Sequence, residues 1–186
     1  MKKAFTMLEL IFVLIVIGIL AAIIMPRMER DPVREAAIQL VSHIRYTQHL
    51  AMVDDKYNAS NNQWYKERWQ LKFKNSHLET NDKESYTIFS DSGAYSGNAN
   101  SKAEIATNPQ DKSKLLTGGD SAVYYNDKEA TTNMNLGMKY GITGVTLGAN
   151  CTDNNSKGIA FDHFGRPLKG AFNSFTAPYP SNNNLI

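Results

Sequence analysis

Apolar residues fill one stretch of this chain and thin out sharply after it. From Phe5 to Met25 the sequence FTMLELIFVLIVIGILAAIIM runs for 21 residues, and Glu9 is its only ionisable side chain. At 1.5 Å rise per residue this predicts a helix just long enough to cross a hydrocarbon core of about 30 Å. Pro26 ends the block and Arg27 follows. The period then changes. Val33, Ala37, Leu40, Ile44 and Ala51 recur at three- and four-residue steps or multiples of them, and Val41 widens the stripe. That pattern predicts an amphipathic helix of about six or seven turns. Asp31 before Pro32 fits an N-cap with proline at the first helical position, or equally a second bend in one long helix.

Further along, the period falls to two. RWQLKFK sets Trp69, Leu71 and Phe73 on one face, and SYTIFSD alternates in the same way. SAVYYND, YGITGVTLG and KGIAFDHFGRPL read as later strands, with Gly165 in a hairpin turn. The Ser-, Asn-, Gly- and Lys-rich run over 91–121 predicts a long surface loop. The tail APYPSNNNLI reads as loosely held. The fold class expected is α+β, a long N-terminal helix with its second half laid on a small antiparallel sheet.

Charge changes little in this picture. The 186 residues carry 20 Lys and Arg against 18 Asp and Glu. Without Met1 to Ala4, which hold Lys2 and Lys3, 18 basic residues face 18 acidic ones. A near-neutral body gives no electrostatic footprint for nucleic acid. Cys151 is the single cysteine, so an intramolecular disulfide is impossible, and a small packed apolar group is its ordinary role.

Lys2 and Lys3 ahead of the apolar block place that end in the cytoplasm and the bulk of the chain outside it. Three readings of the block compete. A cleaved secretory signal has the basic start, but its core is usually shorter and ends in a small-x-small site that is missing here. A plain anchor would merely tolerate Glu9. In the third reading Glu9 is used, and an ionisable group at such depth calls for a partner. No basic residue in the block supplies one. A cut between Ala4 and Phe5 would: the new ammonium at Phe5 on one subunit can pair with Glu9 on a neighbour packed with an axial stagger. A lone polar pair in an apolar seam sets register as well as affinity.

The stretch KKAFTMLELIFVLIVIGILAAIIMPRM resembles the leader and N-terminal helix of type IV pilins and type II secretion pseudopilins. The resemblance implies cleavage by a prepilin peptidase after Ala4, N-methylation of Phe5, subunit assembly through Phe5, Thr6 and Glu9, and a helix bend at Pro26. The family usually has Gly before the cut, where this chain has the small residue Ala4. The division implied is a leader over 1–4, a transmembrane and assembly helix over 5–26, its amphipathic continuation over 27–57, and a periplasmic β-rich domain over 58–186. The body around WYKERWQLKF and GIAFDHFGRP resembles minor pseudopilins and minor pilins. Many major type IV pilins close a C-terminal loop with a disulfide, which Cys151 alone cannot do.

The function expected from the resemblance is a structural, non-enzymatic subunit of a type II secretion pseudopilus that supports protein export. It would sit in the bacterial inner membrane with one pass. Its partners would be other pilin or pseudopilin subunits, prepilin peptidase, an inner-membrane assembly platform and membrane lipid. The alternative is a minor pilin of a type IV pilus for DNA uptake or adhesion. A membrane-anchored enzyme is a third possibility, but no P-loop, GxSxG or dinucleotide fingerprint is present, and no cofactor is expected.

His43 and His49 fall on different helix faces, and no His spacing suggests zinc. Asp162 beside His163 reads as a turn aspartate capping amides near Gly165 rather than a catalytic pair. Asp111, Asp120 and Asp127 are candidate calcium ligands without a defined spacing. Trp64, Tyr65 and Trp69 are candidates for an exposed contact patch, with core packing the alternative for Trp69.

Overall fold

In the computed structural model the first helix, α1 (Met7–Ile24), has apolar residues on every face and no stripe. The structure describes residues 6–24, 31–148, 152–153, 156–169 and 176. The chain divides into two compact units, Met1–Pro32 and Val33–Ile186. Of the span expected over residues 5–25 the structure describes 6–24, and the 18 residues of α1 rise about 27 Å. Among the described residues no helix is long and apolar enough to cross a membrane.

The second unit is an α+β body. Its helix α2 (Pro32–Val53) starts where the sequence placed it, with proline at the first position, where a missing N–H leaves no bond unmade. The buried face is centred on Ala36, Thr47 and Ala51, with Leu40, Ile44 and Leu50 packed against the core. Val33, Ala37 and Val41, expected inward, are exposed. Thr47 explains the offset. Its hydroxyl donates to His43 O at 2.8 Å, so its polar group is satisfied within the helix and the residue packs at the centre of the buried face. A count of apolar positions passes over it.

The strands are β1 (Trp69–Lys74), β2 (Ser85–Ser90), β3 (Thr152–Asp153), β4 (Ser156–Phe161) and β5 (Pro167–Lys169). All pairs are antiparallel, in the order β2-β1-β4, with β3 and β5 also paired to β4. The register sets Leu71 opposite Ile88 and Phe73 opposite Tyr86. These four join Ala36, Leu116, Met134 and Leu136 in the main core. Two short α-helices, α3 (His77–Thr80) and α4 (Leu136–Tyr140), and 3-10 turns at Trp64–Glu67, Lys102–Glu104 and Thr132–Met134 join them.

Three expectations are corrected. The run over 91–121 is no surface loop. Ala99, Ile105, Ala106 and Leu116 are buried, and Ile105 and Thr117 bridge to Phe89 and Thr87 of β2. SAVYYND is a turn, closed by Asp127 accepting from Tyr124 N–H at 2.8 Å and donating its own N–H back to Tyr124 O. YGITGVTLG forms no strand. Tyr140 ends α4, Gly141 takes the left-handed cap at φ 71°, and residues 105–118 already hold the β2 edge that a further strand would need. Trp64 and Tyr65 are not a contact patch either, since they pack with Ala160 and Leu168. Trp69 packs against the main core, and its indole donates to Asp54 Oδ2 at 2.8 Å.

The β4–β5 hairpin matches its sequence reading. Asp162, 1 % exposed, accepts from Phe164 N–H and Arg166 N–H with one oxygen and from Arg166 Nε with the other, at 2.7–3.0 Å. Gly165 sits at φ 76° in that turn, and a Cβ there would meet Met52 Sδ of α2 at 3.0 Å. Asp162→Ala strands three donors. It should cost about 2–4 kcal/mol in urea unfolding, with Asp162→Asn milder because one acceptor oxygen remains.

Lys74 supplies a second internal anchor. Its ammonium meets Glu79 at 2.5 Å and Asp120 at 2.8 Å, tying β1 to α3 and to the turn at 120. Burial alone would push this ammonium down, but Asp120 and Glu79 outweigh it and hold its pKa above the ordinary 10.5. Burial would raise Glu79, and the bonds from Lys74 and Ser121 outweigh it and hold it below 4.5. A raised Lys stabilises below its unfolded value and loses that as pH climbs through the folded one. A lowered Glu stabilises above its unfolded value and loses that as pH falls through the folded one. The network thus contributes fully between about pH 4.5 and 10.5. Lys74→Met should cost about 1–3 kcal/mol at pH 7 and flatten both the acid and the alkaline arms of stability against pH.

Candidate assembly site

Of the residues assigned by the sequence to processing and assembly, Thr6 and Glu9 are brought together. Ala4, Phe5 and the bend at Pro26 lie outside the described residues, as does Cys151. Thr6 directly precedes α1 and Glu9 stands in its first turn. Glu9 Oε2 accepts from Thr6 N–H at 3.0 Å and from Thr6 Oγ1 at 3.1 Å. Thr6 Oγ1 in return accepts from Glu9 N–H at 3.3 Å. This is a reciprocal capping box, in which side chains satisfy backbone donors that the first helical turn leaves open.

The signal for it stood in the sequence as T-M-L-E directly before an apolar run. Reading Glu9 only as a group in search of a distant partner passed over the partner three residues away. The carboxylate also suits the positive end of the helix dipole. Its two oxygens are used unequally. Oε2 takes both Thr6 bonds, whereas Oε1 accepts none from the described residues. The arrangement therefore caps its own helix and still presents one anionic acceptor.

The candidate calcium ligands are not gathered. Asp111 accepts from Ser113, Asp120 holds Lys74, and Asp127 closes its own turn. Among the described residues no group of three or more His, Cys, Asp or Glu is placed to hold a metal. His43 and His49 do face apart, the first half-buried and the second exposed.

A polar network that the sequence reading missed lies under α2. Gln39 Nε2 donates to the carbonyl of Asn133 at 2.9 Å and to Tyr86 Oη at 2.7 Å, and Gln39 Oε1 accepts from Tyr140 Oη at 2.8 Å. His43 Nδ1 lies 2.8 Å from Tyr86 Oη. Burial holds His43 below the ordinary imidazole range and pushes the Tyr86 phenol up. These residues come from positions 39 to 140, so no local pattern announces them.

Comparison with protein-family models, with curated proteins and with solved structures returned no match. The capping box makes a local prediction. Thr6→Ala removes one acceptor and one donor, and amide exchange at Glu9 in detergent micelles should quicken about fivefold, with Thr6→Ser close to the parent.

Proposed function

We propose that this chain is a structural subunit of a type II secretion pseudopilus, cut by prepilin peptidase between Ala4 and Phe5 and assembled through its N-terminal helix. The observation that carries this reading is the Thr6–Glu9 cap at the head of a helix that is apolar on every face. A helix without a polar face belongs inside a larger core or a membrane. Before assembly, lipid surrounds it, and the apolar stretch Phe5–Met25 anchors the chain with its body in the periplasm. In the fibre, neighbouring copies replace the lipid. Apolar contact supplies cohesion without direction. The free oxygen of Glu9 supplies direction, because only one axial stagger brings the Phe5 ammonium of a neighbour to it. Neither charge is comfortable in that setting without the other.

Two measurements test this. Intact mass of the protein from its native membrane should show loss of Met1–Ala4 and one added methyl group, and an unprocessed chain would refute the reading. Glu9→Gln separates capping from charge, since Gln serves at the third position of a capping box as Glu does. Helix content should stay at the parent level while crosslinked oligomers are lost. Oligomers at the parent level would leave Glu9 a cap and no more.

A further inference from the structure

Between α2 and the turns at 108–110 and 131–133 lies a groove of about 440 Å³. Sites for small ligands commonly enclose about 300–1,000 Å³. Several of its polar groups have hydrogen-bonding capacity left over. The Glu35 carboxylate, the Ser42 hydroxyl and the Gln110 side-chain amide line it and make no hydrogen bond to a described residue. On a convex surface water would meet these groups singly. Here they converge on one space.

His43 adds a donor whose sense is fixed from behind. The Asn133 carbonyl can only accept, so the Gln39 atom facing it is Nε2 and the other, Oε1, faces Tyr140. Gln39 Nε2 therefore donates to Tyr86 Oη as well, and the proton of this fully buried phenol has His43 Nδ1 as its one acceptor among the described residues. That nitrogen accepts, so the imidazole proton sits on Nε2. Nε2 has no partner among the described residues, and the ring lines the groove.

We infer that this groove is a binding site for an uncharged, polyhydroxylated ligand, a short saccharide. Among the described residues no Lys or Arg lines it, so none of them offsets the charge of a phosphate or sulfate, and Glu35 repels one. A carboxylate instead accepts from two neighbouring hydroxyls at once. The Gln110 amide and Ser42 both donate and accept, as a ring of hydroxyls requires. Tyr46 and Ile38 give an apolar surface for the C–H face of a sugar ring. An extended peptide would ask for an unpaired strand edge. The wall at 108 offers none, because Asn108 N–H is already bonded to Lys114 O. The inference stands on this body alone and does not depend on the assembly reading.

The test is an NMR titration of the ¹⁵N-labelled full-length chain in detergent micelles, with chitotriose and maltotriose as neutral probes and sialyllactose as an acidic one. Saturable shifts at the His43 ring and the Gln110 amide with a neutral probe, at or below about 10 mM, are expected. Glu35→Gln and Gln110→Ala sit on the exposed rim and should each weaken binding about fivefold with the spectrum otherwise unchanged. Three results would overturn the inference: no saturable shift with either neutral probe, equal binding of sialyllactose, or groove shifts that follow protein concentration without any saccharide, which would give the groove to a second copy.

Discussion

Ile88 sits in the middle of β2 opposite Leu71 of β1, and on the other edge its N–H donates to Leu116 O while its carbonyl accepts from Ala106 N–H. Gly118 N–H reaches Tyr86 O along the same edge. All six residues of β2 are buried. A strand with every side chain inside and both edges bonded demands two covers and two neighbours. Elements around β1 and α2 provide one of each. The rest of the chain must provide the others, and the residues from 91 to 135 do so without forming a regular strand. Phe89 packs with Ala99, Ile105, Val123 and Ala130, while Thr87 and Thr117 share a hydrogen bond at 2.7 Å. Most of the body follows from what β2 requires.

This also accounts for what could be read in advance. β1 alternates apolar and polar residues, β2 is a short run of aromatic and β-branched residues between serines, and the β4–β5 hairpin closes on a turn with a left-handed glycine, so their pattern is local and visible. Between 91 and 135 the apolar residues arrive in ones and twos, and once as the run Ala122–Tyr125, at irregular intervals among polar ones, and much of what is buried goes to a strand already passed. No period records that. What the segment does record is its turn chemistry. Ser101 and Glu104 form a second capping box, and Asn108 and Asp111 each accept from a backbone N–H two residues on. Composition alone made such residues look like solvent-facing loop.

The N-terminal site was legible as positions and not as geometry. Glu9 stood out as a charge inside an apolar block, and Thr6 came from the resemblance to pilin N-termini. Their mutual bond follows from a three-residue spacing that the search for a remote partner overshadowed. Lys74 shows the reverse case. The sequence offered Asp120 to a divalent cation, and the fold gives it an ammonium from a strand 46 residues earlier. A carboxylate states a need for positive charge without saying what will meet it.

The tautomer of His43 traces back to the carbonyl of Asn133, through Gln39 and Tyr86. Every amino acid carries that carbonyl. The side chain at 133 can therefore drift freely while the imidazole keeps its proton on the same nitrogen. A one-residue insertion in the 131–133 turn would displace the carbonyl and release the whole relay, with every side chain of the groove still present. The chemical sense of that surface is inherited from chain length, a property that an inventory of residue types does not record.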